Sequence, residues 1–147
     1  MAGSAVVVDD HLLVQILVGE EPPDLPSGAA IFTTGLWYHR LCRAACSGTV
    51  VGALSRALGP VDTATGAGVA STIIELPDAV GLRSMRDLAW PMARLLRDGH
   101  RLNLLSLEAL AAAEQLQAEI WLTTADANPP LAGAADARGV AVRLVDR

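Results

Sequence analysis

The sequence predicts an α/β sandwich of three layers, in which helices cover both faces of a mostly parallel central sheet. Short apolar runs rich in valine and isoleucine recur along the chain, and longer segments of helical periodicity separate them. Clusters of Gly and Pro mark the boundaries, and strands alternate with helices, which is typical of parallel sheets. At 147 residues the chain is long enough to bury a core, and we expect one domain over residues 1–147.

The first third is predicted to contain two strand–helix pairs. The run AVVV (residues 5–8) is too short and too β-branched for a helix, so it is predicted as a buried strand. LLVQILVG (12–19) follows as a helix that Gly19 closes, and EEPPDLPSG (20–28) is a loop. AIFTT (30–34) is the second strand, with Thr34 as the N-cap of the helix GLWYHRLCRAAC.

The middle of the chain has weaker patterns. TVVGALSRAL (49–58) is predicted as a helix and GPVDTATGAGVAS (59–71) as a flexible, glycine-rich loop. TIIEL (72–76) is predicted as a buried strand, because it is short and β-branched. Residues 84–97 then form an arginine-bearing helix, which Pro91 is expected to bend.

The last third has the clearest periodicity. It predicts two helices and two strands, in the order helix LLSLEALAAAEQLQ (104–117), strand EIWLTT (119–124), helix PPLAGAADARG (129–139) and strand VAVRLV (140–145).

Composition restricts the classes of function. Hydrophobic residues make up 52% of the chain, yet no apolar run reaches the roughly 18–20 residues of a membrane helix. Residues 1–5 lack the basic segment of a signal peptide, so we expect a cytoplasmic protein without a membrane partner. The net charge of -5 argues against unspecific binding along nucleic acid. Basic patches can still occur locally on a protein with this net charge.

The adjacent carboxylates of VVVDDHLLV raise the question of metal chemistry. This stretch resembles the start of a response-regulator receiver domain, in which paired acids hold magnesium. A receiver also needs an acceptor aspartate after its third strand and a late lysine that binds phosphoryl oxygens. The nearest aspartate, Asp62, lies in a loop, and all 11 basic residues of this chain are arginine. The sequence therefore disfavours a receiver.

Three segments in order resemble the PIN-domain family, which includes the toxins of VapBC toxin–antitoxin modules. VVVD ends at Asp9, LSLEA carries Glu108 near a helix start, and TTAD carries Asp126 after a strand. The resemblance spans nearly the whole chain and implies a PIN-like fold. It also implies a metal-dependent ribonuclease of the toxin type, with Asp9, Glu108 and Asp126 as catalytic and metal-binding residues.

Elementary chemistry supports the same three residues. In open α/β sheets, sites form beyond the carboxyl ends of the strands, where Asp9 and Asp126 are predicted to lie. Glu108 is predicted in the first turn of its helix, where the macrodipole favours an anion. Converging carboxylates repel each other, and a divalent cation relieves that repulsion. Oxygen ligands favour Mg²⁺ or Mn²⁺.

The chain departs from the family pattern at the fourth acid, a Glu about one turn into the helix after the second strand. The matching slot holds Tyr38 or His39, and no carboxylate lies between Asp24 and Asp62. His39 is a candidate metal ligand, or equally a half-buried helix histidine. Two readings therefore stay open: a ribonuclease weakened by the missing acid, and a non-catalytic PIN-like domain that binds a protein or RNA partner.

RNA contact is predicted for Arg94, Arg97 and Arg101, which share one helix face if the helix extends that far. Arginine forks match phosphate oxygens, although a solvated helix face explains the same charges. All three tryptophans (Trp37, Trp90 and Trp121) lie in apolar runs and are predicted to be in the core. The resemblance further implies an antitoxin-type protein partner and a homodimer.

Overall fold

A computed structural model describes residues 3–47 and 63–146 of the chain. Within these residues the strands form one five-stranded parallel sheet in the order β3-β2-β1-β4-β5. The strands are β1 Ala5–Val8, β2 Ala30–Thr34, β3 Val80–Arg83, β4 Glu119–Thr123 and β5 Val142–Val145. The helices are α1 Asp10–Leu17, α2 Gly35–Cys46, α3 Thr63–Ile74, α4 Met85–Arg97, α5 Leu104–Leu116 and α6 Pro129–Ala137.

The central strands β1 and β4 are buried on both faces, which explains their continuous apolar sequences. Alternate residues of β1 serve opposite cores: Val6 and Val8 pack on one face and Val7 on the other. Helices α1 and α3 cover the first face, and α4, α5 and α6 cover the second. The predicted three-layer α/β fold is therefore confirmed. No described helix is long and apolar enough to cross a membrane.

Helix α5 lies at the centre of the second core. Residues 106–113 are all buried, because α5 packs against the sheet, α4 and α6 and keeps no solvated face. The alanines of LEALAAA allow this close approach. One consequence is that Glu108, a charged residue in the middle of α5, is removed from solvent.

The prediction was wrong for residues 63–76. The glycine-rich segment forms most of α3, and the predicted strand 72–76 is the end of that helix and the turn after it. Ile73 is buried in the first core, and Tyr38 donates a hydrogen bond of 2.7 Å to its carbonyl oxygen, which lies in the unpaired last turn of α3. The predicted helix at 49–58 lies outside the described residues.

The third strand is instead the short edge segment Val80–Arg83. A strand at the edge needs little burial, and only Val80 of its four residues is buried, so its apolar signal is weak. Gly81 pairs with Phe32 of β2, whose ring covers it. A Cβ at this position would lie 2.3 Å from Phe32 Cδ1, which is too close for any side chain.

Helix α4 tolerates Pro91 because a side chain replaces the lost backbone bond. Proline has no N–H, which frees the carbonyl oxygen of Asp87 one turn earlier. The Gln115 amide of α5 donates to that oxygen at 3.1 Å. The predicted helix at 84–97 is confirmed as Met85–Arg97.

The close contact at Gly81 leads to a stability prediction. We expect Gly81→Ala to lower the free energy of unfolding by about 1–3 kcal/mol, because the Phe32 ring or the edge strand must shift. Gly133→Ala is the control: it lies within α6 with open space around it and should stabilise by up to about 1 kcal/mol. Urea unfolding measures both. A Gly81→Ala variant as stable as the native protein would contradict the packing described.

Candidate functional site

The candidate site lies beyond the carboxyl ends of β1 and β4. These neighbours are central in the sheet, and the strand order runs outward from them in opposite directions. Such a switch point leaves a crevice in parallel sheets, because the following connections leave to opposite faces. Asp9 and Asp10 follow β1, and Asp126 ends the short 3-10 turn after β4.

Asp9 is fully buried and holds the two strand ends together. One of its carboxylate oxygens accepts the Leu12 N–H at 2.8 Å, so Asp9 is the N-cap of α1. The other oxygen accepts the backbone N–H of Thr123 at 2.8 Å and the Thr123 hydroxyl at 3.1 Å. Burial outweighs these donors and raises the pKa of Asp9 to about 6.

Asp10 and Asp126 are bridged by the guanidinium of Arg40 from α2. Arg40 Nε donates to Asp10 Oδ2 at 2.7 Å, and Arg40 Nη2 donates to Asp10 Oδ1 and, at 2.6 Å, to Asp126 Oδ2. The two carboxylates are far apart in sequence, and one planar cation satisfies both. This fork geometry is specific to arginine.

His11 completes the cluster. Its Nδ1 lies 3.0 Å from Asp126 Oδ2 and 3.4 Å from Asp10 Oδ1, and its side chain is half exposed. The hydrogen bond to Asp126 raises the pKa of His11, even though burial opposes the shift. Two groups that carry or favour positive charge therefore face two carboxylates.

The pKa of Asp126 reflects the same contacts. Burial alone would raise it, but the hydrogen bonds from His11 and Arg40 outweigh burial and lower the pKa well below its usual range. The pKa of Arg40 rises, first because of its hydrogen bonds to Asp10. Asp126 is therefore ionised and matched by a permanent cation.

The donor set fits a divalent cation. Asp9, Asp10, His11 and Asp126 each offer a ligand atom, and these atoms all lie within 4.8 Å of one another. Three carboxylates and one imidazole suit Mn²⁺ or Mg²⁺. A carboxylate has about four lone-pair sites, so Asp9 keeps acceptor capacity beyond its three protein donors.

Glu108 lies apart from this cluster and meets the N-terminus of α2. Its Oε1 accepts the Leu36 N–H at 3.1 Å, and its Oε2 is buried without a hydrogen-bond partner among the residues described. It is the fifth residue of α5, not in its first turn as predicted, so the helix end that it faces is that of α2. Burial raises the pKa of Glu108, although the α2 amides counteract it.

His39 and Asn128 are not part of the acidic cluster. His39 is exposed on α2, and it is the next residue, Arg40, whose side chain reaches the acids. Asn128 caps α6 through Leu131 N–H at 3.0 Å and donates to Ser106 Oγ at 2.9 Å. Both ends of its amide are thus used in the fold.

Asp10, His11 and Arg40 were not predicted from the sequence as site residues. The adjacency of Asp10 and His11 to Asp9 was a usable signal, since consecutive polar residues at a strand end share a rim. Arg40 was not predicted because arginine is not a metal ligand, and its sequence neighbours give no sign of its contacts with Asp10 and Asp126.

The arginines predicted to contact RNA are exposed, but they do not share one helix. Helix α4 ends at Arg97, and Gly99 with a φ of +95° turns the chain before Arg101. Of these three arginines, Arg94 and Arg97 lie on α4 and Arg101 lies beyond its end.

The prediction that all three tryptophans lie in the core was wrong for Trp90, whose side chain is 68% exposed, whereas Trp37 and Trp121 are buried. Leu88 and Met92, which are four residues apart, lie on the buried face of α4. Trp90 lies midway between them in sequence and therefore on the opposite face of the helix.

A small cavity of about 100 Å³ adjoins the acidic cluster. It is lined by residues of α2, α5 and the segment after β4, among them Trp37, Arg40, Ser106 and Asp126. Sites for organic ligands usually measure about 300–1,000 Å³. The cavity beside Arg40 is well below that size.

Comparison with known proteins supports the fold. The chain is similar to a chain in a solved structure of VapBC-1 from nontypeable Haemophilus influenzae, with a TM-score of 0.51 and 11% identity. The similarity covers 95% of this chain and 96% of that chain. At this identity the likeness establishes a shared fold. No family model and no curated protein matches the sequence.

Because Asp9 accepts buried hydrogen bonds, its substitution should lower the free energy of unfolding. Asn at position 9 has one acceptor oxygen, so either Leu12 or Thr123 loses its partner, at a cost of about 1–3 kcal/mol. Asp24→Asn, in an exposed loop, should stay within about 0.5 kcal/mol. Thermal and urea unfolding compare the two variants. Equal stability of Asp9→Asn and Asp24→Asn would contradict the capping role of Asp9.

Proposed function

We propose that the protein is a divalent-metal-dependent ribonuclease of the PIN type. The observation that carries this proposal is the convergence of Asp9, Asp10, His11 and Asp126 at the switch point of a PIN-like sheet. Asp9, Asp10 and Asp126 would hold Mg²⁺ or Mn²⁺, and His11 would remain free to exchange a proton. When bound, the ion would activate water and stabilise charge on the phosphodiester.

The residues of the chain have distinct tasks in this proposal. Asp9 fixes the geometry, since its buried carboxylate ties α1 to β4. Asp126 orients His11 through Nδ1, and the half-exposed imidazole can exchange a proton with a substrate oxygen. Glu108 positions the N-terminus of α2, the helix that carries Arg40.

A second candidate function rests on Arg40. Because Arg40 already neutralises Asp10 and Asp126, the acids need no metal to relieve their repulsion. The fold is then a non-catalytic PIN-like domain that binds a protein or RNA partner. For either candidate we propose an antitoxin-type partner and a homodimer, on the basis of the resemblance to the family and the likeness to VapBC-1.

Metal binding and RNA cleavage decide between the candidates. We expect calorimetry to show saturable Mn²⁺ binding to the native protein and Asp126→Asn to weaken it at least about tenfold. Loss of a residue that only hydrogen-bonds to a metal ligand costs about 10–100-fold in metal affinity, and Asp126 would itself be a ligand. Asp136→Asn removes an exposed acid of α6 and should leave binding unchanged.

Cleavage of a mixed single-stranded RNA should require Mn²⁺ or Mg²⁺ and should be lost with Asp126→Asn but not with Asp136→Asn. If the native protein and a variant without Arg40 both fail to bind metal and to cleave RNA, the non-catalytic candidate replaces the nuclease.

The outer face of α4 supports the choice of RNA as ligand. Trp90 lies between Arg86 and Arg94 at intervals of one turn, and all three are exposed. Exposed aromatic rings stack on bases, and arginines pair with phosphates. We propose that Arg94, Arg97 and Arg101, together with Trp90, contact the RNA strand.

Substitutions on this face should weaken RNA binding, and the salt dependence of the loss should differ between the arginines and Trp90. Arg94→Gln and Arg97→Gln should each reduce the slope of log affinity against log salt by about 0.7, because each removes one phosphate contact to a single strand. Trp90→Ala should cost about 1–3 kcal/mol, largely independent of salt. Arg143→Gln, at an arginine paired with Glu119, is the control. Fluorescence anisotropy measures each affinity, and unchanged affinity in all three variants would contradict the proposed surface.

A further inference from the structure

Arg40 approaches the acidic cluster through the carboxylates that the metal would use. Its guanidinium nitrogens lie 2.7 Å from Asp10 Oδ2 and 2.6 Å from Asp126 Oδ2. A bound Mg²⁺ or Mn²⁺ would lie about 2.0–2.2 Å from such oxygens. Ion and guanidinium would then be only a few ångströms apart, and two cations at that distance repel each other strongly.

The charges of the cluster show how well Arg40 serves as a counter-ion. Asp10 and Asp126 are two carboxylates, and Arg40 bonds both of them from one planar group. His11 faces the same two acids. The repulsion that a metal would relieve is therefore already relieved by groups of the protein itself.

Arg40 also has a route out of the site. Its side chain is 35% exposed, in contrast to Asp10, which is 9% exposed. Arg40 extends from α2 on several rotatable bonds, so the guanidinium can move into solvent without a change in the backbone. The backbone that carries Asp10 and Asp126 stays in place, because Asp9 ties the start of α1 to the end of β4.

We propose that Arg40 is an internal counter-ion that competes with the divalent metal for Asp10 and Asp126. Metal binding requires Arg40 to leave, so Arg40 sets a low metal affinity in the resting protein. The inference rests on the proposed metal-dependent function, and it assigns to Arg40 control over when the site is loaded. It also explains why α2 carries a cation beside the cluster where a fourth acid was expected.

Calorimetric titration of the full-length protein with MnCl₂ tests the competition. Arg40→Gln should bind Mn²⁺ at least about tenfold more tightly than the native protein, because the carboxylates are no longer occupied. Arg43→Gln removes the same charge from an exposed position one turn further along α2, so it should change affinity less than about twofold. A melting-temperature shift with added Mn²⁺ gives a second readout.

Arg40→Lys separates bridging from charge. Lysine keeps the positive charge, but its single ammonium cannot hold both carboxylates in the same fork, so its metal affinity should lie between those of the native protein and Arg40→Gln. Circular dichroism first verifies that each variant is folded. If Arg40→Gln does not fold, Arg40→Lys is compared with the native protein instead, and it should bind Mn²⁺ more tightly.

The possible results separate competition by Arg40 from the proposed metal-dependent function. Equal Mn²⁺ affinity of the native protein and Arg40→Gln overturns the competition and leaves the metal site standing. A gain in Arg43→Gln as large as in Arg40→Gln also overturns it, since the effect would then be general charge. Absence of Mn²⁺ binding in every variant overturns the metal-dependent function itself.

Discussion

The buried carboxylate of Asp9 is the interaction on which the arrangement of the site depends. It joins three elements at one point: the end of β1, the first turn of α1 and the last residue of β4. A buried carboxylate is costly unless donors surround it, and here three donors do. Because this point is fixed, Asp10 and His11 on α1 face Asp126 after β4 across a short distance. The geometry of the acidic cluster is thus a consequence of how the central strands end.

Arg40 connects this fixed rim to the helix on the other side of the crevice. A cluster of unpaired carboxylates would be unstable in a protein without a metal, and Arg40 removes that instability. The same contact opposes metal binding, so stability of the resting protein and affinity for a cation act against each other. Glu108 takes part indirectly, because it holds the amides at the start of the helix that carries Arg40. Glu108 therefore helps to position α2.

Much of the fold and part of the site could be predicted from local pattern. The strand ends at Asp9 and Asp126 followed from apolar runs that stop abruptly, and parallel strands bring their carboxyl ends to one edge. The region at 63–83 could not be predicted in this way. Its β-branched residues pack as the end of a helix, and the actual strand contains a glycine that only the Phe32 ring explains. Trp90 was misjudged because apolar neighbours hid its outward position on α4. Arg40 depends on contacts 30 and 86 residues away, which no local pattern contains.

If Arg40 competes with the metal, Arg40 and a divalent cation occupy the acidic cluster in turn. The most direct measurement is a pair of crystal structures, one grown without divalent metal and one soaked in MnCl₂, with anomalous diffraction to locate manganese. Arg40 should bridge Asp10 and Asp126 in the first crystal. In the second, an anomalous peak should lie among Asp9, Asp10 and Asp126, with the Arg40 guanidinium displaced into solvent. Manganese bound at these carboxylates with Arg40 still bridging them would contradict the competition between Arg40 and metal. Arg40 in solvent before any metal is added would contradict it as well.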